Sequence, residues 1–429
     1  MTEPSTCREG TSAAPERASD GRHRPSSPPD GCRSDGKSSI RVLLVLSTLM
    51  AFASISTDLY LPALPTMTTS LHADEGELEL TISGYLVGFS TGQLFWGPVS
   101  DTYGRRKPVA AGLLLFIVGC IGCAVSSSAG SLIGWRIVQA VGACASVVLA
   151  RAMVRDLYTG PRAAQMMSAL MTVMAIAPLV GPWIGSLILR VSSWHAIFWV
   201  LVGVGIVALA SLVILPETLP RSKRNHGSIS NAFNVYFEII RDPRILGYAG
   251  AGGFFYGAVF AYIAGTPFAY ITYYGTSPEK YALLFAISIV GIMATNQINS
   301  RLVPHFGSDR LMRYGTVGAG IAGVMLLVVC IEQWGGLPVL VALLFTIVSA
   351  NGFIVANSIA GALATFPSRA GAVSALVGAS QYGFGIAGSA MVGVFADGTL
   401  SPLGIVIGIM TVGCAVCANR FGRTGPASP

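Results

Sequence analysis

Gly97-Pro98-Val99-Ser100-Asp101-Thr102-Tyr103-Gly104-Arg105-Arg106-Lys107 sets an acid, a glycine and three successive cations between two runs of almost purely apolar sequence. A turn this polar is unstable in hydrocarbon. It therefore reads as a tight loop at a membrane face, and the chain on both sides must cross the bilayer to reach it. Composition points the same way: 52% of the 429 residues are apolar and 11% are charged, against roughly 25% charged in a soluble domain. That deficit excludes an ordinary water-soluble fold. The net charge of +7 is scattered in short clusters between apolar runs, which fits membrane topology better than a nucleic-acid partner.

Working outward from this loop, apolar stretches long enough to span a bilayer as helices recur along the chain. Six are expected near 40–62, 78–97, 108–126, 131–152, 163–189 and 194–215, and six more near 244–270, 279–300, 311–331, 336–360, 370–395 and 402–420. Twelve crossings return both termini to one side. Of the 27 Lys and Arg, seven lie at or before Arg41, and more fall in every second loop after it, around 105–107, 151–162, 221–244, 301–313 and 369. The alternate loops hold only Arg190 and Lys280, and Asp74, Glu75 and Glu77 sit in the first of them. The positive-inside rule then makes the termini cytoplasmic.

The expected organisation is a disordered cytoplasmic tail over 1–39, a six-helix bundle over 40–215, a linker over 216–243, a second bundle over 244–421 and a short cytoplasmic tail over 422–429. The first tail is rich in Ser, Pro, Gly and Arg and has no apolar core of a signal peptide. The linker opens with Pro216-Glu217-Thr218 and carries the basic run Arg221-Ser222-Lys223-Arg224. A shift of 203 residues lays Tyr103-Gly104 over Phe306-Gly307, the mark of a parallel internal repeat, with Pro304 where the first copy has Asp101. The fold class is thus an all-α membrane protein of two pseudo-symmetric six-helix bundles.

The stretch from Gly97 to Lys107 resembles the loop between spans two and three of the major facilitator superfamily (MFS). Arg136-Ile137-Val138-Gln139-Ala140-Val141-Gly142 resembles its proton-linked motif, and Ala177-Pro178-Leu179-Val180-Gly181-Pro182-Trp183-Ile184-Gly185 its antiporter motif. Thr57-Asp58-Leu59-Tyr60-Leu61-Pro62-Ala63-Leu64-Pro65, with Ala350-Asn351-Gly352-Phe353 and Phe366-Pro367-Ser368-Arg369-Ala370-Gly371, is similar to the Bcr/CflA drug-resistance subfamily. Ser186 stands where a second glycine usually closes the antiporter motif. The resemblance implies a bacterial inner-membrane exporter that exchanges protons for small amphipathic molecules such as antibiotics. It also implies a monomer with no cofactor beyond the proton gradient.

The residues themselves carry the chemistry of that reading. Asp58 reads as the one acid well inside a span, where an ionised carboxylate costs roughly 3 kcal/mol. It follows Ser47, Ala51 and Ser54 at helical spacing, a small and polar stripe suited to an interior cavity. Arg136 is the cation inside a span, one turn before Gln139. Both positions are read as proton-coupling, against the alternatives of a helix-end Asp and an Arg that snorkels to the water edge. Substrate-cavity candidates are Ser54, Tyr60, Gln139, Tyr256, Phe260, Asn351, Asn357 and Gln381. Among the span-seven aromatics, Tyr270, Tyr273 and Tyr274 read as an interfacial belt.

Gly97, Asp101, Gly104, Arg105 and Arg106 are expected to form a cytoplasmic latch of the outward-facing state. Pro178, Gly181, Pro182 and Gly185 are expected to pack span five tightly where the two halves meet, through small residues four apart. No metal site is expected: Cys120-x-x-Cys123 and Cys414-x-x-Cys417 lie in apolar helices without a His nearby. No phosphate-binding Walker loop is present, which argues against an ATP-driven pump. A transporter of a metabolite such as a nucleoside or amino acid, and more distantly a membrane thiol redox enzyme, are the competing readings.

Overall fold

The computed structural model describes residues 36–215, 217–220, 224, 239–366 and 370–420. The tails, most of the 216–243 stretch and residues 367–369 lie outside them. The chain divides into two units, 1–40 and 41–429. Of the first only 36–40 are described, as the start of α1. Everything below concerns the second.

Backbone groups in hydrocarbon must find partners within their own segment, so the apolar runs become helices. The described elements are α1 (Gly36–Asp58), a 3-10 turn (Leu61–Ala63), α2 (Leu64–Leu71), α3 (Glu75–Tyr103), α4 (Arg106–Ala124), α5 (Ala129–Leu157), α6 (Gly160–Val191) and α7 (Trp194–Ser211). The second half comprises α8 (Pro243–Pro267), a π-helical turn (Phe268–Tyr273), α9 (Pro278–Phe306), α10 (Ser308–Glu332), α11 (Gly336–Ser349), α12 (Asn351–Thr365), α13 (Ala370–Val394) and α14 (Ser401–Arg420). They make twelve crossings, because α1 with α2, and α11 with α12, are broken single spans. Ten crossings are apolar and long enough to span a membrane by composition alone. Exposed Val191, Val207, Val213 and Ile321 give them an oily exterior.

Each break has a local cause. Pro62 has no N–H to offer the carbonyl of Asp58 and its ring crowds that carbonyl, so α1 stops at the acid. Span ten breaks at Ala350, one residue before Asn351. The polar loop quoted above is shorter than its sequence implies: α3 runs through Pro98 to Tyr103, leaving only Gly104 and Arg105 outside helix. Ser100 and Thr102 hydroxyls cap the carbonyls of Gly97 and Pro98 there.

The repeat is visible in the backbone. Gly104 and Gly307, 203 positions apart, both cap a helix at positive φ, 90° and 77°, with N–H bonds to Ser100 and Val303. An L side chain is disfavoured at such angles, which is why both turns hold glycine. We call the side of the Gly104 turn the motif face and the opposite side the far face. The halves meet where α3 packs on α13 and α6 on α9. Their named contacts lie toward the far face: a Ser83–Ser389 hydroxyl pair at 2.8 Å, the close crossing of Gly76 with Gly393, and an Arg190–Glu279 ion pair.

Candidate functional site

A cavity of about 180 Å³ lies between the halves. It sits on the motif-face side of the Ser83–Ser389 contact, because its wall takes Tyr85, Leu86 and Phe89 from α3 and Tyr382 from α13, further along each helix. Ser54, Thr57 and Asp58 of α1 and Met174 and Pro178 of α6 complete the N-terminal wall. Phe260 and Ile263 of α8 and Phe285 and Ile289 of α9 face them. The wall is largely apolar and aromatic, with Phe89 and Tyr382 rings 5.6 Å apart across the halves. Such a surface suits flat or amphipathic molecules. Its volume is below the 300–1,000 Å³ or so typical of drug-sized ligands, so cargo of that size requires the halves to part.

Asp58 is the acidic member of this wall, 5% exposed, at the point where span one unwinds. Gly181 of α6 lies against it: a Cβ on that glycine would sit 3.1 Å from the Asp58 Cβ. Gly185 lies so close to the Leu59 carbonyl that a side chain there has no room, and a Cβ on it would also sit 3.2 Å from Pro62 Cγ. The small-residue stripe therefore receives the broken part of span one within the same half, not the opposite half as its sequence suggested. Four-residue spacing selects close packing and says nothing of the partner.

Arg136 is fully buried behind this wall and does not snorkel. Its Nη1 donates to the Ser56 carbonyl at 3.1 Å and to Gln139 Oε1 at 2.6 Å. Its guanidinium carbon lies 4.1 Å and 4.3 Å from the ring centres of Tyr60 and Tyr85. Those rings are held in turn, Tyr60 by the Thr81 hydroxyl at 3.0 Å and Tyr85 by the Ser56 hydroxyl at 2.8 Å. The arrangement keeps one positive charge beside the break that carries Asp58.

The remaining candidates divide. Ser54 and Phe260 line the cavity, and Tyr256 lies tilted against Phe260 with ring centres 6.0 Å apart. Tyr60 and Gln139 are fully buried supports of Arg136, Gln139 also donating to Cys120 Sγ at 3.0 Å, so neither is on the wall. Asn357 exchanges amide hydrogen bonds with Asn299 of α9 and ties two helices of one half together. Gln381 faces Gly252 of α8 away from the cavity, and Asn351 starts α12. Tyr270, expected in an interfacial belt, is 1% exposed, whereas Tyr273 is 38% exposed. Helical period gave these residues a face but not what that face meets.

At the motif face, Arg105 Nη1 bonds Asp101 Oδ1 and Ser100 Oγ at 2.6 Å, and its Nε bonds Asp156 Oδ2 at 2.8 Å. Burial works against its charge, but the bonds and charges of Asp156 and Asp101 outweigh it, so its pKa lies above the ordinary value. Glu217 accepts from the backbone N–H of Arg105 and Arg106 at 2.8 and 3.3 Å, capping α4. A Cβ on Gly104 would meet Glu217 Oε2 at 2.8 Å. The side-chain partners of Arg105 belong to the first half, and Glu217 to the linker. Nothing crowds Gly97.

Sequence reasoning missed Tyr85, Tyr382 and Met174, whose signal was an aromatic and sulfur-bearing stripe on the same helix faces. It also missed Glu79, a second acid buried in a span, and Arg151, counted as a loop cation although it lies inside α5 with Nη2 3.6 Å from Met174 Sδ. Among the described residues the cysteines are free, and no cluster of His, Cys, Asp or Glu is grouped to hold a metal ion.

Two facing six-span bundles around a central cavity, with broken helices and a buried charge at its wall, define a secondary membrane transporter. The Major Facilitator Superfamily profile matches residues 45–390, and the chain belongs to that family. It is 34% identical to the MFS-type transporter YdgK of Bacillus subtilis over 88% of this chain and 94% of that one. It is 28% identical to a bicyclomycin resistance protein homolog of Haemophilus influenzae, over the same shares. A crystal structure of a D-xylose-proton symporter shares the fold, with a TM-score of 0.70 and 17% identity over 89% of this chain and 98% of that one.

Proposed function

We propose that the protein exports small amphipathic molecules, antibiotics among them, in exchange for protons, with Asp58 as the group that binds proton or cargo in turn. The observation that carries this reading is the place of Asp58: a buried carboxyl in the wall of the central cavity, at the break of span one. The name of the Haemophilus relative supports a drug-like cargo. Neutral Asp58 tolerates the dry wall. Ionised, it needs either the buried Arg136 charge or a polar cargo to offset its desolvation.

Proton loading and cargo loading thus exclude one another at a single carboxyl, which is the requirement of exchange. One proton suffices, since one charge crossing about 100 mV yields roughly 2.3 kcal/mol, and a tenfold cargo gradient costs about 1.4 kcal/mol. The gradient is then the sole energy source and no cofactor is needed. The moving bodies are the monomer's bundles 40–215 and 244–421, joined by 216–243. The cation distribution makes the motif face and both termini cytoplasmic in a bacterial inner membrane. The far face is then extracytoplasmic and the state described is closed to the outside. In the opposite state the Asp101–Arg105 turn acts as a latch.

The test is a panel of drugs added to inverted vesicles holding an imposed pH gradient. The gradient should collapse with wild type and persist with Asp58→Asn. Collapse driven by a nucleoside or amino acid but by no drug would select metabolite transport instead.

A further inference from the structure

Glu79 has no part in the exchange just described, yet its surroundings are unusual for a carboxyl. It lies in the second turn of α3, 4% exposed, and its Oε2 has no hydrogen-bond partner. It is at the crossing of the halves: a Cβ on Gly393 of α13 would lie 3.3 Å from the Glu79 Cβ and 2.8 Å from the Gly76 carbonyl. Four residues on, Ser83 bonds Ser389 across the same seam.

A cavity of about 50 Å³ opens beside it, lined by Glu75, Glu79, Phe268, Thr272, Tyr273 and Thr399. That space admits water or a small ion, since one water needs only ~10–15 Å³, but no amphipathic cargo. No Lys, Arg or His lines it. The titratable groups facing it are Glu75 from the same helix and Tyr273 from the π-helical turn. Asp74, Glu77 and Asp397 surround the adjoining cavity. His72, in the turn before α3, lines neither cavity. Lys280 follows Glu279, which pairs with Arg190. Arg136 lies over Tyr85 of α3, six residues or about 9 Å deeper.

We propose that Glu79 is a second proton-binding site, one that gates the contact between the halves at the far face. With α3 and α13 together, an ionised Glu79 is a buried charge surrounded by acids and opposed by no cation, so this contact forms only around the neutral carboxyl. When the helices part, water reaches Glu79 and the proton leaves to the face from which it came. Proton uptake thus accompanies closing and release accompanies opening, with no net transfer across the membrane. The exchange ratio at Asp58 is unaffected. The device prevents the outer seam from closing before acid has been taken up.

The test uses the full chain in nanodiscs, its native cysteines replaced, with spin labels on Ser70→Cys and Val394→Cys and distances read as pH is varied. An Asp58→Asn background removes titration of the cavity acid. The short-distance population should grow as pH falls, by up to tenfold per pH unit for one linked proton. In Glu79→Gln it should stay at its low-pH value throughout, while Ser83→Ala should keep the dependence. If Glu79→Gln does not purify, Glu79→Asp should displace the midpoint rather than abolish it. A flat response without Glu79 substituted, or an unchanged response in Glu79→Gln, would overturn the assignment. Either leaves the Asp58 reading intact, because that reading is tested by cargo-driven proton flux.

Discussion

Replacing Arg136 by lysine separates its charge from its geometry. Nη1 of the guanidinium reaches the Ser56 carbonyl and Gln139 together while the flat group lies against two tyrosine rings. An ammonium keeps the charge but has a shorter reach and no flat face to lay on the rings. Losing one bond to a charged group costs about 1.5–3 kcal/mol, and weakened contact with desolvated rings costs up to about 2 kcal/mol more. A net loss near 3 kcal/mol is over a hundredfold in an equilibrium constant. Because Ser56 lies two residues before Asp58, this loss loosens the break that holds the acid. Arg136→Lys should therefore melt at lower temperature in detergent and transport slowly, and Arg136→Gln should be inactive because Asp58 then lacks its offsetting charge. If Arg136→Lys melts and transports as wild type does, the ring contacts and the reach of Nη1 do not hold the site, and the reasoning fails.

Gly185→Val should abolish transport, since overpacking costs typically 1–3 kcal/mol and the Leu59 carbonyl lies in the way. Gly97→Ala should be silent in the inverted-vesicle assay, since nothing crowds that glycine. Gly104→Ala should destabilise through its positive φ and its collision with Glu217. Scanning calorimetry should show a loss of about 1–2 kcal/mol for the backbone alone. Asn357→Ala leaves Asn299 buried without its amide partner, a loss of about 1–3 kcal/mol. The double variant with Asn299→Ala should recover part of the melting temperature. Replacing Cys120, Cys123, Cys414 and Cys417 by alanine should leave transport unchanged, and activity that depends on those thiols would revive the redox reading.

The fold was legible because hydrocarbon leaves the backbone few choices: apolar length gave the crossings, and the 203-residue shift gave the paired turns at Gly104 and Gly307. Pro62 foretold the break at Asp58, since a missing N–H four residues on is a local event. What sequence could not give was the identity of the neighbour. Gln139 shares a polar helix face with Arg136, and Tyr60 lies against Arg136 from the break of span one, yet both sit behind the cavity wall rather than on it. Gly181 and Gly185 announced close packing but not that span one would fill it. Glu79 was passed over because the apolar run starts near residue 78, whereas α3 begins at Glu75, three residues earlier, which sets the acid in its second turn. Arg151 was hidden by counting cations per loop, a tally blind to the last turns of a helix.

The central claim is that cargo and proton compete for one carboxyl. It is met most directly by adding cargo to the purified protein in weakly buffered detergent solution and recording the protons released. Wild type should release protons as cargo saturates, and Asp58→Asn should bind cargo without any release. Cargo binding that leaves the solution pH unchanged, or equal release from Asp58→Asn, would contradict the account.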